Sequence, residues 1–314
     1  MGFSLSIPPL AFIQQHLTII HSRNRNRINC LPGISCIYRM KKYFPRLLLL
    51  LVILLAIGYL VSWKSPAYYL PQKAYNPSDS IVLFGSYTGE HPRPMIVAQP
   101  GLVIFGAAHT RNPDAPEIKQ LEAEWKRLQP TVALVEGRLG FLFPGLMDPV
   151  KTLGEGGAVK HLAHRDGIRI YNWDLSKEAL AQQLEGEKFT KDQIALQQIL
   201  NPYFSNLRFG KPASPENFVE EYLKRAAYVN LQDSIKTVTD VDRYWKKYFP
   251  SGPDWREVSD EHTLPGFLAP LMAFSNDLRN QQLVAAVKEL TAKGEKVFVV
   301  CGSSHAYCVA PAFR

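Results

Sequence analysis

Apolar and polar positions alternate in different ways along this chain, and each pattern predicts a different element. Residues 47–63 read LLLLLVILLAIGYLVSW, seventeen positions without a charge between Arg46 and Lys64. A run of that length and purity, placed directly behind a Lys/Arg cluster, predicts a single membrane-spanning helix over 46–63. Beyond it the apolar runs shorten. IVLFGSY (81–87) predicts a strand, and MIVAQPGLVIFGAAH predicts a hairpin turning at Pro100-Gly101 and leading into a buried strand that ends at His109. In APEIKQLEAEWKRLQ, Ile118, Leu121, Trp125 and Leu128 recur every three or four residues, which marks one face of an amphipathic helix. TVALVEG then predicts a strand ending at Glu136. A further helix leads to Gly167 and the strand IRIYNWD, which ends at Asp174, and a long helix over 271–292 precedes the closing strand KVFVVCGSSH.

Strands alternating with helices imply an α/β fold, a mixed and largely parallel sheet flanked by helices. Residues 176–250 are helical in pattern and rich in Tyr, Phe and Trp, which predicts a helical insertion packed by those aromatics. The expected organisation is a basic arm at 1–45, the anchor at 46–63, a proline-containing linker at 64–80 and an α/β domain at 81–314. Met40 opens MKKYFPRLLLL, a complete anchor beginning, so translation is expected to start there.

Charge supports this division. The net charge of +8 comes from 36 Lys+Arg against 28 Asp+Glu, but seven of the basic residues and none of the acidic ones lie in residues 1–63, leaving 29 against 28 in the rest. The excess sits before the anchor and not on a folded face, so no nucleic-acid partner is expected. The same asymmetry places the N-terminus in the cytoplasm and the domain on the far side of a lipid bilayer. The four cysteines, Cys30, Cys36, Cys301 and Cys308, have no zinc-ribbon spacing. A disulfide between Cys301 and Cys308 and a buried strand thiol at Cys301 both remain open at this point.

The chemistry is expected at strand ends. Two GxxH motifs, Gly106 to His109 and Gly302 to His305, each follow a hydrophobic strand. In a largely parallel sheet ligands bind outside the carboxyl ends of the strands, where His109, Glu136, Asp174 and His305 would all fall. Two imidazoles and a carboxylate make a divalent-metal site, with Glu136 as a ligand or as the base that takes a proton from water. Arg279, in NDLRNQQLVAAV, is expected to stabilise an oxyanion or to fix Glu136.

The GAAH motif, the carboxylate of TVALVEGR, the arginine of NDLRNQQLVAAV and the closing VFVVCGSSH together resemble the TraB/GumN family and its relative Tiki, within a wider superfamily that includes erythromycin-esterase-like and ChaN-like proteins. The resemblance runs in order from Gly101 to His305. It implies an α/β domain whose metal-dependent site is lined by His109, His305, Glu136 and Arg279. It also implies a membrane-tethered hydrolase, peptidase-like, that uses manganese, cobalt or zinc on a peptide or small-molecule substrate. Two other classes stay open: a non-catalytic metal- or haem-binding module, and a scaffold that has kept the fold and lost the site.

Overall fold

The computed structural model describes residues 32–207, 210–260 and 262–314. The chain divides into two units, at Tyr59 and Leu60. The first contains all but the last two residues of the helix α1 (Pro32–Val61), whose described large apolar side chains, among them Phe44, Leu47 and Leu55, are exposed. Among the described residues no helix is long and apolar enough to cross a membrane. Residues 1–31 of the expected arm lie outside the described residues.

The second unit is built on a five-stranded sheet of order β1-β2-β5-β3-β4, formed by β1 (Met95–Gln99), β2 (Leu102–Ala107), β3 (Val132–Val135), β4 (Arg169–Asn172) and β5 (Val297–Gly302). β1 and β2 form the antiparallel hairpin predicted around Pro100-Gly101, and Gly101 takes the positive φ of +77° that its turn needs. All other pairings are parallel. The helices α2 (Pro116–Leu128) and α3 (Pro149–Arg165) connect the strands on one face. On the other face lie α8 (Leu268–Ala292) and α9 (Ser303–Val309).

The apolar runs explain this layering. The central strands are buried on both faces, as parallel strands must be, so they read as continuous hydrophobic runs. Alternate residues still go to opposite sides. Val103, Phe105, Ala133, Val135, Phe298 and Val300 pack with Leu121, Trp125, Val159 and Leu162 of α2 and α3. Leu102, Ile104, Val132, Leu134, Val297 and Val299 pack with Leu283, Val287 and Leu290 of α8.

Between β4 and α8 the chain builds a separate helical layer from α4 (Lys177–Glu185), α5 (Lys191–Asn206), α6 (Pro215–Glu220) and α7 (Val238–Tyr248). Its core runs from Leu175 through Tyr203, Phe204, Trp245 and Trp255 to Leu271, so it extends beyond residue 250 into the start of α8. The aromatics of this insertion are core, as their spacing predicts.

One local expectation is corrected. Residues 81–87 form no strand: the segment holds only a 3-10 turn at Phe84–Ser86, and Phe84 N–H donates to Asp277 Oδ1 at 2.8 Å. Residues 64–80 are irregular but bonded along the domain. Trp63 and Leu142 pair in a β-bridge, Tyr69 N–H donates to the Asn172 carbonyl at 2.7 Å, and Tyr69 Oη–H donates to Glu289 at 2.8 Å. Cys301 and Cys308 are both free, buried thiols.

Candidate active site

The parallel strands carry the expected residues to one edge of the sheet. β2 leads to His109, β3 to Glu136, β4 to Asp174, and β5 through Gly302 to His305 on the first turn of α9. Arg279 reaches them from the middle of α8. These residues line one cavity of about 660 Å³, whose wall also includes Phe84, Arg138, Lys177 and Asn201.

Arg279 is the hub. Its Nε–H donates to Asp174 Oδ1 at 2.8 Å, and Nη2 donates to Glu136 Oε1 at 2.7 Å and Asp174 Oδ2 at 3.1 Å. Nη1 donates to Asn276 Oδ1 at 3.1 Å and faces His305 Nε2 at 3.2 Å. A guanidinium has five N–H groups and no acceptor, so all five are committed within the protein. The ring of Trp173 lies 5.6 Å from the guanidinium carbon. Burial pulls the Arg279 ionisation down, but Asp174 and Glu136 outweigh it and raise it above the ordinary value.

That contact fixes the His305 tautomer. An arginine N–H can only donate, so Nε2 accepts and Nδ1 carries the proton, which goes to Asn280 Oδ1 at 2.7 Å. His305 is 5% exposed. Burial first, then the Arg279 charge, lower its pKa to about 4 against the opposing pull of Glu136 and Asp174. His305 is therefore a neutral imidazole with both nitrogens in use. Its ring also lies 5.6 Å from that of Trp173 and 5.5 Å from that of Phe84.

Burial pushes the Glu136 carboxyl up, but His305, once acid has protonated it, Arg279 and the Gly302 N–H together hold it well below the usual carboxylate range. Glu136 Oε2 accepts that N–H at 2.7 Å. A carboxylate so stabilised is a weak base, and here Glu136 accepts from both Arg279 and Gly302.

His109 is the exposed member, and its backbone takes a positive φ of 69°. Two carboxylates secure the flanking peptide groups. Ala108 N–H donates to Glu117 Oε1 at 2.7 Å, and Thr110 N–H donates to Glu155 Oε1 at 2.5 Å. Gly154 lets α3 approach this loop, because a Cβ there would lie 3.1 Å from the Thr110 carbonyl oxygen. A left-handed conformation in a residue other than glycine persists only where its surroundings impose it.

The two GxxH glycines differ in role. Gly106 pairs with Cys301 across the sheet, not with Gly302, and a Cβ on Gly106 would lie 2.5 Å from the Ala306 Cβ. Gly106 therefore admits α9 against β2. Gly302 opens space inside the site: a Cβ there would stand 3.3 Å from His109 Nε2 and 3.7 Å from Glu136 Oε2.

The donor set was expected to hold a divalent ion through His109, His305 and Glu136. Neutral imidazoles and a carboxylate are the right chemistry, but Arg279 occupies the facing lone pairs of His305 Nε2 and Glu136 Oε1 with its own positive charge. Among the described residues no group of three or more His, Cys, Asp or Glu is disposed to hold a metal. The residues do not fit the three-ligand ion. A buried guanidinium stands at the centre of the carboxylates, and Asp174, with both oxygens on Arg279, belongs to its cage.

Sequence reasoning missed Lys177, Asn280, Glu117 and Glu155, none of which has a motif. The only hint was position: Lys177 follows the strand end at Asp174 by three residues. No family model, no curated protein and no solved structure matches the chain.

Proposed function

We propose that the chain is a hydrolase that adds water to a carbonyl group, with His109 as the general base. The carrying observation is that His109 Nε2 and Glu136 Oε2 both face the space left by the missing Cβ of Gly302. Glu136 and His305 have their inward atoms committed, so His109 is the imidazole on the cavity wall left to take a proton. In this reading a water in that space gives its proton to His109 Nε2 as its oxygen bonds to the carbonyl carbon. The proton then passes to the departing oxygen or nitrogen as the acyl bond breaks. Arg279 positions Glu136, Asp174 and His305 and has no N–H to spare for the reacting group.

The order of motifs that resembles TraB/GumN and Tiki proteins supports a hydrolase on a peptide or ester. The uncharged run at 47–63 behind the basic arm supports membrane attachment with the domain outside the cytoplasm. The test is turnover by the full chain in detergent micelles, on p-nitrophenyl esters and a fluorogenic peptide panel, beside His109→Ala. Turnover lost in the variant is the expected result. Equal turnover in both, or none by the wild type on any substrate, overturns the proposal.

A further inference from the structure

Hydrogen-bonding capacity around the cavity is lopsided. Each carboxylate on its wall already accepts a bond: Glu136 from Arg279 and Gly302, Asp174 from Arg279 and Leu175 N–H, Glu155 from Thr110 N–H, and Asp260 from Ser205. The cations differ. Arg279 is fully committed, but Lys177, Arg111 and Arg138 line the same cavity with no hydrogen bond or ion pair among the described residues. Arg111 and Arg138 are exposed at its mouth, where water serves them. Lys177 is half-buried, on the first turn of α4, three residues beyond Asp174.

None of the three N–H donors of its ammonium is used among the described residues, so on the wall of the cavity they stand ready for an acceptor on a bound molecule. Asp174 does not fill them: Arg279 takes both of its oxygens. Burial dominates the surroundings of Lys177 and lowers its pKa, and Arg279 and Arg225 add to this against Asp174 and Glu136. A second group on the same wall is also unfilled, since Asn201 Oδ1 is buried with no partner.

We propose that Lys177 is an anion-binding subsite of this cavity, taking a carboxylate or phosphate group on the molecule the site acts on. Asn201 Oδ1 accepts from an N–H or O–H of the same molecule, and the cations at the mouth draw the anion in. The inference rests on the hydrolase reading for what the site does with that molecule, and on the unused donors for the binding itself. It makes the substrate an acid.

The experiment pairs binding with turnover. Calorimetry of the full chain in detergent micelles, at constant ionic strength with chloride as the balancing anion, measures the affinity for inorganic phosphate and for acetate. Comparison is with Lys177→Met, checked for folding by circular dichroism. Binding by the wild type and at least tenfold weaker binding by the folded variant is the expected result. No binding by the wild type, or equal binding by both, overturns the subsite. Should Lys177→Met not fold, Lys177→Arg is titrated instead, and anion affinity retained within threefold supports the subsite while its loss counts against it. In parallel, the ratio of p-nitrophenyl hemisuccinate to p-nitrophenyl acetate turnover should fall at least tenfold in Lys177→Met, and an unchanged ratio also overturns it. Phosphate binding that depends on Lys177, with no ester turnover by the wild type, supports the subsite and sinks the hydrolase reading.

Discussion

Arg279 Nη2 lies 2.7 Å from Glu136 Oε1, joining residues 143 positions apart in the chain, and the same guanidinium holds Asp174 through two further bonds. The side chains of Arg279 and Asp174 are 14% and 4% exposed. Removing one member of such a buried pair leaves an uncompensated charge, which costs about 3–5 kcal/mol. Arg279→Ala should lower unfolding stability by that amount in urea denaturation. Arg279→Lys should recover only part of it, because an ammonium cannot reproduce the planar fork. A loss under 1 kcal/mol in Arg279→Ala would mean that the hub is not formed.

Acid should weaken the fold through His305. Its folded pKa, lowered to about 4, lies below the ordinary imidazole value of 6.5, so between these pH values the unfolded chain binds the proton and the folded chain does not. Stability from this group is therefore complete above pH 6.5 and falls as pH drops towards 4, by about 3 kcal/mol in all. Glu136, whose folded pKa is depressed, adds a further loss below the ordinary carboxylate value that continues down through its folded pKa. Denaturant titrations from pH 8 to pH 4 should show this slope, and His305→Gln should flatten its upper part.

His109 and Glu136 should separate cleanly. His109→Ala removes an exposed side chain and should reduce turnover by about 10²–10⁴-fold, the range for loss of a general base, with little change in melting temperature. Glu136→Gln removes the charge beside Arg279 and should lower both turnover and stability. Equal melting temperatures for wild type and Glu136→Gln would contradict the arrangement.

Chelation tests the ion expected from the histidine motifs. With Arg279 as the cation of the site, prolonged treatment with a chelator should leave turnover and melting temperature unchanged. Loss of turnover restored by manganese, cobalt or zinc would return His109, His305 and Glu136 to the ligand role, because an ion that binds only the folded state raises its stability.

Gly106→Ala should be destabilising although it adds one methyl group. The new Cβ would meet the Ala306 Cβ at 2.5 Å, the Met95 carbonyl oxygen at 2.8 Å and the Ser303 Cα at 2.9 Å. Backbone on two sides cannot yield easily, so a cost of about 1–3 kcal/mol is expected by thermal or chemical denaturation. Gly302→Ala is the contrast: it should fold, and should lose activity by filling the space between His109 and Glu136.

Much of the sheet was legible because β2, β3 and β5 are continuous apolar runs bounded by Gly, Pro and polar residues, and Pro100-Gly101 is a strong turn signal. The run at 81–87 was equally apolar but finds no ladder partner, and its composition could not reveal that. His109, Glu136, Asp174 and His305 were legible as strand ends, since a parallel sheet gathers those ends along one edge. What each does was not. The weak basicity of Glu136 and the hold of Arg279 on two carboxylates depend on approaches across more than a hundred residues, and Lys177 and Glu155 matter through what surrounds them.

The sheet order has a consequence for how the protein comes into being. β2 and β3 never pair with each other; each pairs with β5, the strand reached last along the chain. While the polypeptide is still emerging from the ribosome, His109 and Glu136 therefore sit on strands with no common neighbour, and the central slot of the sheet waits for residues 297–302. Pairings at such sequence separations form late, since the chain must close a long loop before they return any stabilisation. Assembly of that edge of the sheet thus waits for residues 297–302 to be made, and a product lacking β5 would have no continuous sheet.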